Sequence, residues 1–300
     1  MQLVDFSYAA IAVLVVGLAI GAIVDLKTRE VDDRLWLAVA LLGGGFQAVV
    51  IGAGGTVPLL VWLLVLAFVV QHLLPWDELI AERNSAWAGY LELATYIGVG
   101  LILVLVGWRD GVGPAGLPVS AIAVFVSVLL ARGLFEANLL YGGADAKAVM
   151  VAAAAVPFDT MTILAPHGPA ASILSFYPFA VTVLMNGALS AVVVPLALLI
   201  RNARHGDWNG LRTFTGYPLA VDQLPDRFVW VTDPTFRRDD DAETSDDDRQ
   251  VRIRLRDDLR AKGVSFVWVT PQIPFVVLLA IGAILGVVFG NLVADAFALL

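Results

Sequence analysis

About eight stretches of mostly apolar residues run through this 300-residue chain, at 7–24, 34–53, 57–74, 88–107, 119–140, 145–164, 176–200 and 272–290. Each reaches or approaches the roughly 20 residues that a helix needs to cross a bilayer, and the runs lack the alternation of barrel strands. A hydrocarbon core admits only helices and closed barrels, because every backbone N–H and C=O there must bond within the protein. The chain is therefore expected to be an all-α polytopic membrane protein with about eight transmembrane helices. Composition agrees: 59% of residues are hydrophobic and 15% charged, against about 25% charged in soluble domains. The absence of cysteine excludes disulfides, thiolate metal sites and cysteine nucleophiles. The N-terminal run lacks a basic leader and has its positive charges on the far side, at Lys27, Arg29 and Arg34, so it reads as a retained helix.

Three regions are expected: a transmembrane helical domain over 1–200, a cytoplasmic soluble insert over 201–270, and a final transmembrane helix over 271–300. Within the insert, 228–231 and 265–269 read as short strands, and 251–256 alternates Val, Ile and Leu with Arg at period two, so a small β-containing subdomain is expected. The acidic run 239–248 is too polar to bury and reads as a disordered loop. Asn186-Gly187 and Pro195 interrupt the seventh run and predict a kink. Three Lys stand against sixteen Arg and many Asp, a bias that suggests a halophilic archaeal source.

Cytoplasmic loops hold the excess of Lys and Arg. Lys27, Arg29 and Arg34 follow the first helix, Arg83 lies between the third and fourth, Lys147 follows the fifth, and Arg201 and Arg204 follow the seventh. With eight helices all of these share one side, which places the N-terminus outside and the insert in the cytoplasm. The second to fifth helices separate Asp25 from Asp145, an even number of crossings, so the two acids return to one face.

Those acids are the candidate chemistry. Asp25 ends the first apolar run, and Asp145 sits in Gly142-Gly143-Ala144-Asp145-Ala146-Lys147 between two others. Ionisable groups at a bilayer are costly and mark functional sites. Two carboxylates brought together share one proton; one then accepts a proton from water while the other polarises a peptide carbonyl. Gly142 and Gly143 are expected to allow close backbone approach and positive φ. The plainer alternatives are an interfacial anchor for Asp25 and a helix cap for Asp145, with Lys147 reaching to the interface. Glu92, Glu136 and Asp159 lie near helix ends, where exposure is the simpler reading, although Glu136 is near enough in sequence to approach Asp145. Asp32-Asp33 reads as a solvated turn. His72, His167 and His205 are scattered, so no metal site is expected. No phosphate-binding loop, dinucleotide fingerprint or serine elbow stands out, and neither a cofactor nor a nucleic-acid partner is expected.

Three segments resemble the archaeal type IV prepilin and preflagellin (prearchaellin) peptidases, of the GxGD aspartic protease class: Asp25-Leu26-Lys27-Thr28-Arg29-Glu30-Val31, Gly142-Gly143-Ala144-Asp145-Ala146-Lys147, and Val267-Trp268-Val269-Thr270-Pro271-Gln272-Ile273-Pro274-Phe275. The resemblance implies that Asp25 and Asp145 are the catalytic pair, with Gly142, Gly143, Ala144 and Lys147 supporting the motif. It also implies a multi-pass cell-membrane enzyme that cleaves class III signal peptides of pilin or archaellin precursors at the cytoplasmic face, with lipid as its other partner. Ala144 stands for the third-position Gly of the motif, Val31-Asp32-Asp33 for a Pro-Asn type turn, and Gln272 for a basic residue. The cysteine-bearing domain and coupled methylation of the bacterial enzymes find no support here. Two other readings remain: an intramembrane protease resembling signal peptide peptidase, and a non-catalytic transporter or assembly scaffold.

Overall fold

The computed structural model describes residues 3–74, 85–113, 115–140, 142–158, 177–232 and 248–299. Numbered along the described residues, the helices begin with α1 (Leu3–Thr28), α2 (Asp33–Gly52), α3 (Thr56–Leu73), α4 (Ser85–Asp110), α5 (Val119–Glu136) and α6 (Gly143–Ala155). α7 (Phe179–Ala191) and α8 (Val193–His205) follow, then α9 (Asp248–Ala261), α10 (Phe275–Phe289) and α11 (Leu292–Ala298). The strands are β1 (Tyr217–Ala220), β2 (Val229–Val231) and β3 (Phe266–Pro271). The chain divides into two compact units, Met1–Ser190 with Pro274–Leu300, and Ala191–Ile273.

The first unit is built around α6. From Ala146 onward it is an apolar run of Ala, Val and Met broken only by Lys147. A helix without a polar face must be enclosed, and α1, α2, α3, α5 and α10 all pack against it. Every residue from Ala148 to Ala155 is buried. Small side chains let the neighbours approach: a Cβ added at Gly43 of α2 would stand 2.6 Å from that of Ala155. α1 and α2 pair as closely, since a Cβ at Gly21 would meet the fully buried Trp36 ring at 2.7 Å. Outward-facing Ile23, Leu42, Leu60 and Val104 are exposed, as suits a lipid environment.

Among the described residues, six helices are long and apolar enough to cross a membrane, or seven if the bent pair α10 and α11 is one span. The expected sixth span begins with α6, whose thirteen residues at 1.5 Å each cover about 20 Å of a core of about 30 Å. Its expected continuation to 164 falls outside the described residues, as do Arg83, Asp159 and His167.

Of the two expected interruptions, Asn186-Gly187 makes none, since helix α7 runs through both residues, whereas the helix does break at Val192, three residues before Pro195; Phe179–His205 together forms one candidate span. Asn186 is fully buried; its Nδ2 donates to the Gly290 carbonyl (2.9 Å), and its Oδ1 accepts from the Leu292 N–H (3.1 Å). The residue that reads as a helix breaker thus satisfies the backbone at the 54° break between α10 and α11.

The second unit holds an antiparallel sheet in the order β1-β3-β2, with Leu219 opposite Val267 and Trp230 opposite Thr270. Its core is Leu219, Val221, Leu224, Val229, Leu259, Val267 and Val269. Two of the three expected strands are present. Residues 251–256 instead lie in α9, because Val251, Leu255 and Leu259 also recur at i, i+4 and i+8; Leu259 is buried, and Leu255 packs beside the core. The acidic run lies outside the described residues, apart from Asp248 at the start of α9.

Candidate active site

Asp25 sits in the last turn of α1, where the chain reverses. Arg29 takes a left-handed conformation (φ 63°) and its N–H bonds the Asp25 carbonyl at 3.0 Å, which ends the helix. Asp32 then caps α2, accepting from the Arg34 N–H at 2.8 Å. The close α1–α2 packing holds this turn in place, and the Asp25 side chain faces inward, 9% exposed.

Asp145 occupies the third position of α6 and is 7% exposed. Its Oδ2 accepts from the N–H of Gly142, the residue before the helix, at 3.2 Å. The backbone N–H of Val276, in the first turn of α10, also lies close to the carboxylate. That contact brings the third segment singled out in the sequence, at its Pro274-Phe275 end, to the acid. Gly142 does not adopt the expected positive φ; its φ is −107°, and Gly143 is also absent from the positive-φ residues. The requirement at Gly142 is space, since a Cβ there would stand 3.0 Å from Asp145 Oδ2. Gly143 is exposed with open space around it, and Ala144 packs against the core.

α1 packs directly on α6, and the Asp25 carboxylate lies within electrostatic reach of Asp145. Four helices with spanning character, α2 to α5, separate the two acids in sequence, so both stand at the same end of the bundle. A cavity of about 450 Å³ lies at the other end of α6, lined in part by Gln47, Ile51, Pro58 and Val156. Eleven residues of helix, or about 17 Å, separate that end from Asp145.

Two features escaped the sequence reading. Lys147 Nζ bonds Asp33 Oδ1 at 2.5 Å, both side chains being largely covered (20% and 30% exposed). The pair ties the turn after Asp25 to the turn carrying Asp145. Asp33 is thus not the solvated residue expected of the Asp32-Asp33 turn. Lys147→Met is expected to lower stability by about 1–3 kcal/mol and to slow any activity that needs both acids. The exchange Asp33→Lys with Lys147→Asp should recover part of the loss in thermal-unfolding scans. No recovery would mean that the ion pair is not the link.

The second feature is a polar cluster between α3, α4 and α5. Glu92 stands 3.4 Å from Arg132 and 3.9 Å from His72, and Arg132 bonds Glu136 at 2.8 Å. His72 also stacks edge-on with Phe68 and Tyr96. Glu92 and Glu136, read as exposed helix-end acids, therefore share one arginine, and Glu136 is engaged there. Acid, base and histidine on three successive helices near one end were the available signal, but only tertiary contact pairs them.

Residues 209–292 match the family described as Archaeal Peptidase A24 C-terminus Type II. Over 295 residues, 94% of this chain and 94% of the relative, the chain is 22% identical to a preflagellin peptidase of Methanocaldococcus jannaschii.

Proposed function

With the archaeal preflagellin and prepilin peptidases as the family that this chain resembles along its length, we propose that it is a membrane aspartic endopeptidase in which Asp25 and Asp145 form the catalytic pair. The observation that carries this reading is the position of two nearly buried carboxylates on helices that pack together, at one end of the bundle. The substrates are pilin or archaellin precursors, cut at the class III signal peptide. Lys27, Arg29 and Arg34, beside Asp25, support a cytoplasmic location of that end.

The pair holds one proton between its two carboxylates. The protonated member donates to the scissile carbonyl oxygen, and the ionised member takes a proton from water as the water oxygen attacks the carbonyl carbon. The tetrahedral intermediate collapses with cleavage of the C–N bond; the departing amine takes up a proton, and the pair returns to its starting state. The Gly142 N–H, with that of Val276 close by, aims the Asp145 carboxylate, so the geometry does not depend on water for its orientation.

Purified protein reconstituted in vesicles is expected to convert an archaellin or pilin precursor to a faster-migrating product. Thiols introduced at Glu30 and at Gly143, where a side chain meets open space, should react with an impermeant reagent from one side only, and from the same side. The proposal fails if both precursor classes stay intact under conditions where the Methanocaldococcus relative cuts one, or if the two thiols label from opposite sides.

A further inference from the structure

The Ala191–Ile273 unit has two unlike sides. On one side of the sheet, Leu219, Val267 and Val269 are covered by Leu224, Leu255 and Leu259 from the 221–226 turn and α9. α9 turns its charges outward, with Arg249 paired to Asp226 and Arg260 to Asp222. The other side carries Trp230, Phe266 and Trp268, which alternate along β2 and β3 with buried Val229, Val267 and Val269. Trp268 Nε1 donates to the Arg212 carbonyl at 3.2 Å, which brings the Gly210–Phe214 turn alongside these aromatics. Leu211 is 85% exposed, Trp208 66% and Trp230 60%. α9 packs on the 221–226 turn, on the opposite side of the sheet.

The chain connects this surface to its partner. It enters the unit from Phe179–His205 and leaves it for Phe275–Phe289, both apolar enough to cross a membrane. Trp208 and Leu211 follow the first span within one or two turns, and exposed Ile273 immediately precedes the second. Beyond α8, an exposed apolar surface on a part of the chain otherwise rich in charge marks an interaction site. Tryptophan, with an apolar ring and one N–H donor, is favoured at the boundary between headgroups and acyl chains. Tethering at both ends holds the unit at high effective concentration near the bilayer, so modest apolar contact suffices for docking.

From this we infer that Trp208, Leu211 and Trp230 form a membrane-docking surface, seated in the headgroup–acyl boundary of the lipid bilayer that the neighbouring spans cross. The charged side of α9 faces water.

The chain's lack of cysteine allows a direct test. Single nitroxides are placed at Leu211→Cys, Trp230→Cys and, on α9, Asp257→Cys, in full-length protein in nanodiscs of equal phosphatidylcholine and phosphatidylglycerol. The ratio of collisions with oxygen to collisions with a water-soluble nickel chelate is expected to be severalfold higher at 211 and 230 than at 257. Equal ratios at all three sites overturn the inference. So does protection of 211 and 230 from both reagents, which would mean that a second copy or another part of the chain covers the surface. Because the nitroxide is itself apolar, the unmodified protein is also photolysed with a phosphatidylcholine bearing a diazirine near its headgroup. Adducts on peptides containing Trp208 to Leu211 and Trp230 support docking, whereas adducts confined to the spans refute it.

Discussion

Asp25→Asn and Asp145→Asn are each expected to reduce precursor cleavage on the order of a thousandfold or more, because an amide can neither hold nor cycle the shared proton. The double variant should be no slower than either single one, since each substitution disables the same unit. Folding should survive. Asn is nearly isosteric with Asp, its carbonyl oxygen can still accept from Gly142 N–H, and a charge is removed from a nearly buried site. Thermal unfolding of both variants should therefore stay at or above the wild-type temperature. Asp32→Asn serves as control: its Oδ1 can still accept from the Arg34 N–H and cap α2, it removes a carboxylate outside the pair, and it should retain cleavage. Cleavage by either pair variant at the wild-type rate in reconstituted vesicles would remove the aspartic mechanism and leave a non-catalytic membrane protein as the better account.

Gly282→Leu is expected to cost about 3 kcal/mol or more of stability, placing it among the severe overpacking substitutions. A Cβ at Gly282 would stand 2.6 Å from the Gly187 backbone N and 3.0 Å from its Cα, and backbone atoms cannot rotate away as side chains do. α7 and α10 therefore meet at backbone contact, as transmembrane helices do where both carry small residues. A leucine would force them apart, breaking the packing among Phe179, Val183, Leu279 and Ala283 and pulling Asn186 from Gly290. Because α10 also presents the Val276 N–H to Asp145, activity should fall along with the melting temperature. Gly98→Leu on α4, where a Cβ meets nothing within 4 Å, should change neither by much. Equal melting temperatures for the two variants in one detergent would show that the α7–α10 contact yields.

The long spans were legible because a bilayer imposes one requirement on every residue of a crossing. Asp25 and Asp145 were legible for the converse reason, as carboxylates at the ends of such runs, and the even number of helices between them followed from counting. Lys147 and Asp33 were each visible, but 114 positions apart, and no local pattern pairs them. Residues 251–256 fit a strand and a helix equally well over six positions; Leu259, just beyond that window, decides for the helix by being buried.

By itself the sequence determined a multi-helix membrane chain with both acids at one end, because hydropathy and charge report the surroundings that each residue tolerates. Tertiary structure decided which segment supplies those surroundings. The apolar run of α6 suits lipid as well as protein, and five helices drawn from positions 3 to 289 enclose its described residues. The groups against the Asp145 carboxylate are backbone N–H groups, which leave no mark on side-chain identity; only the close approach of α10 brings the one on Val276 near it.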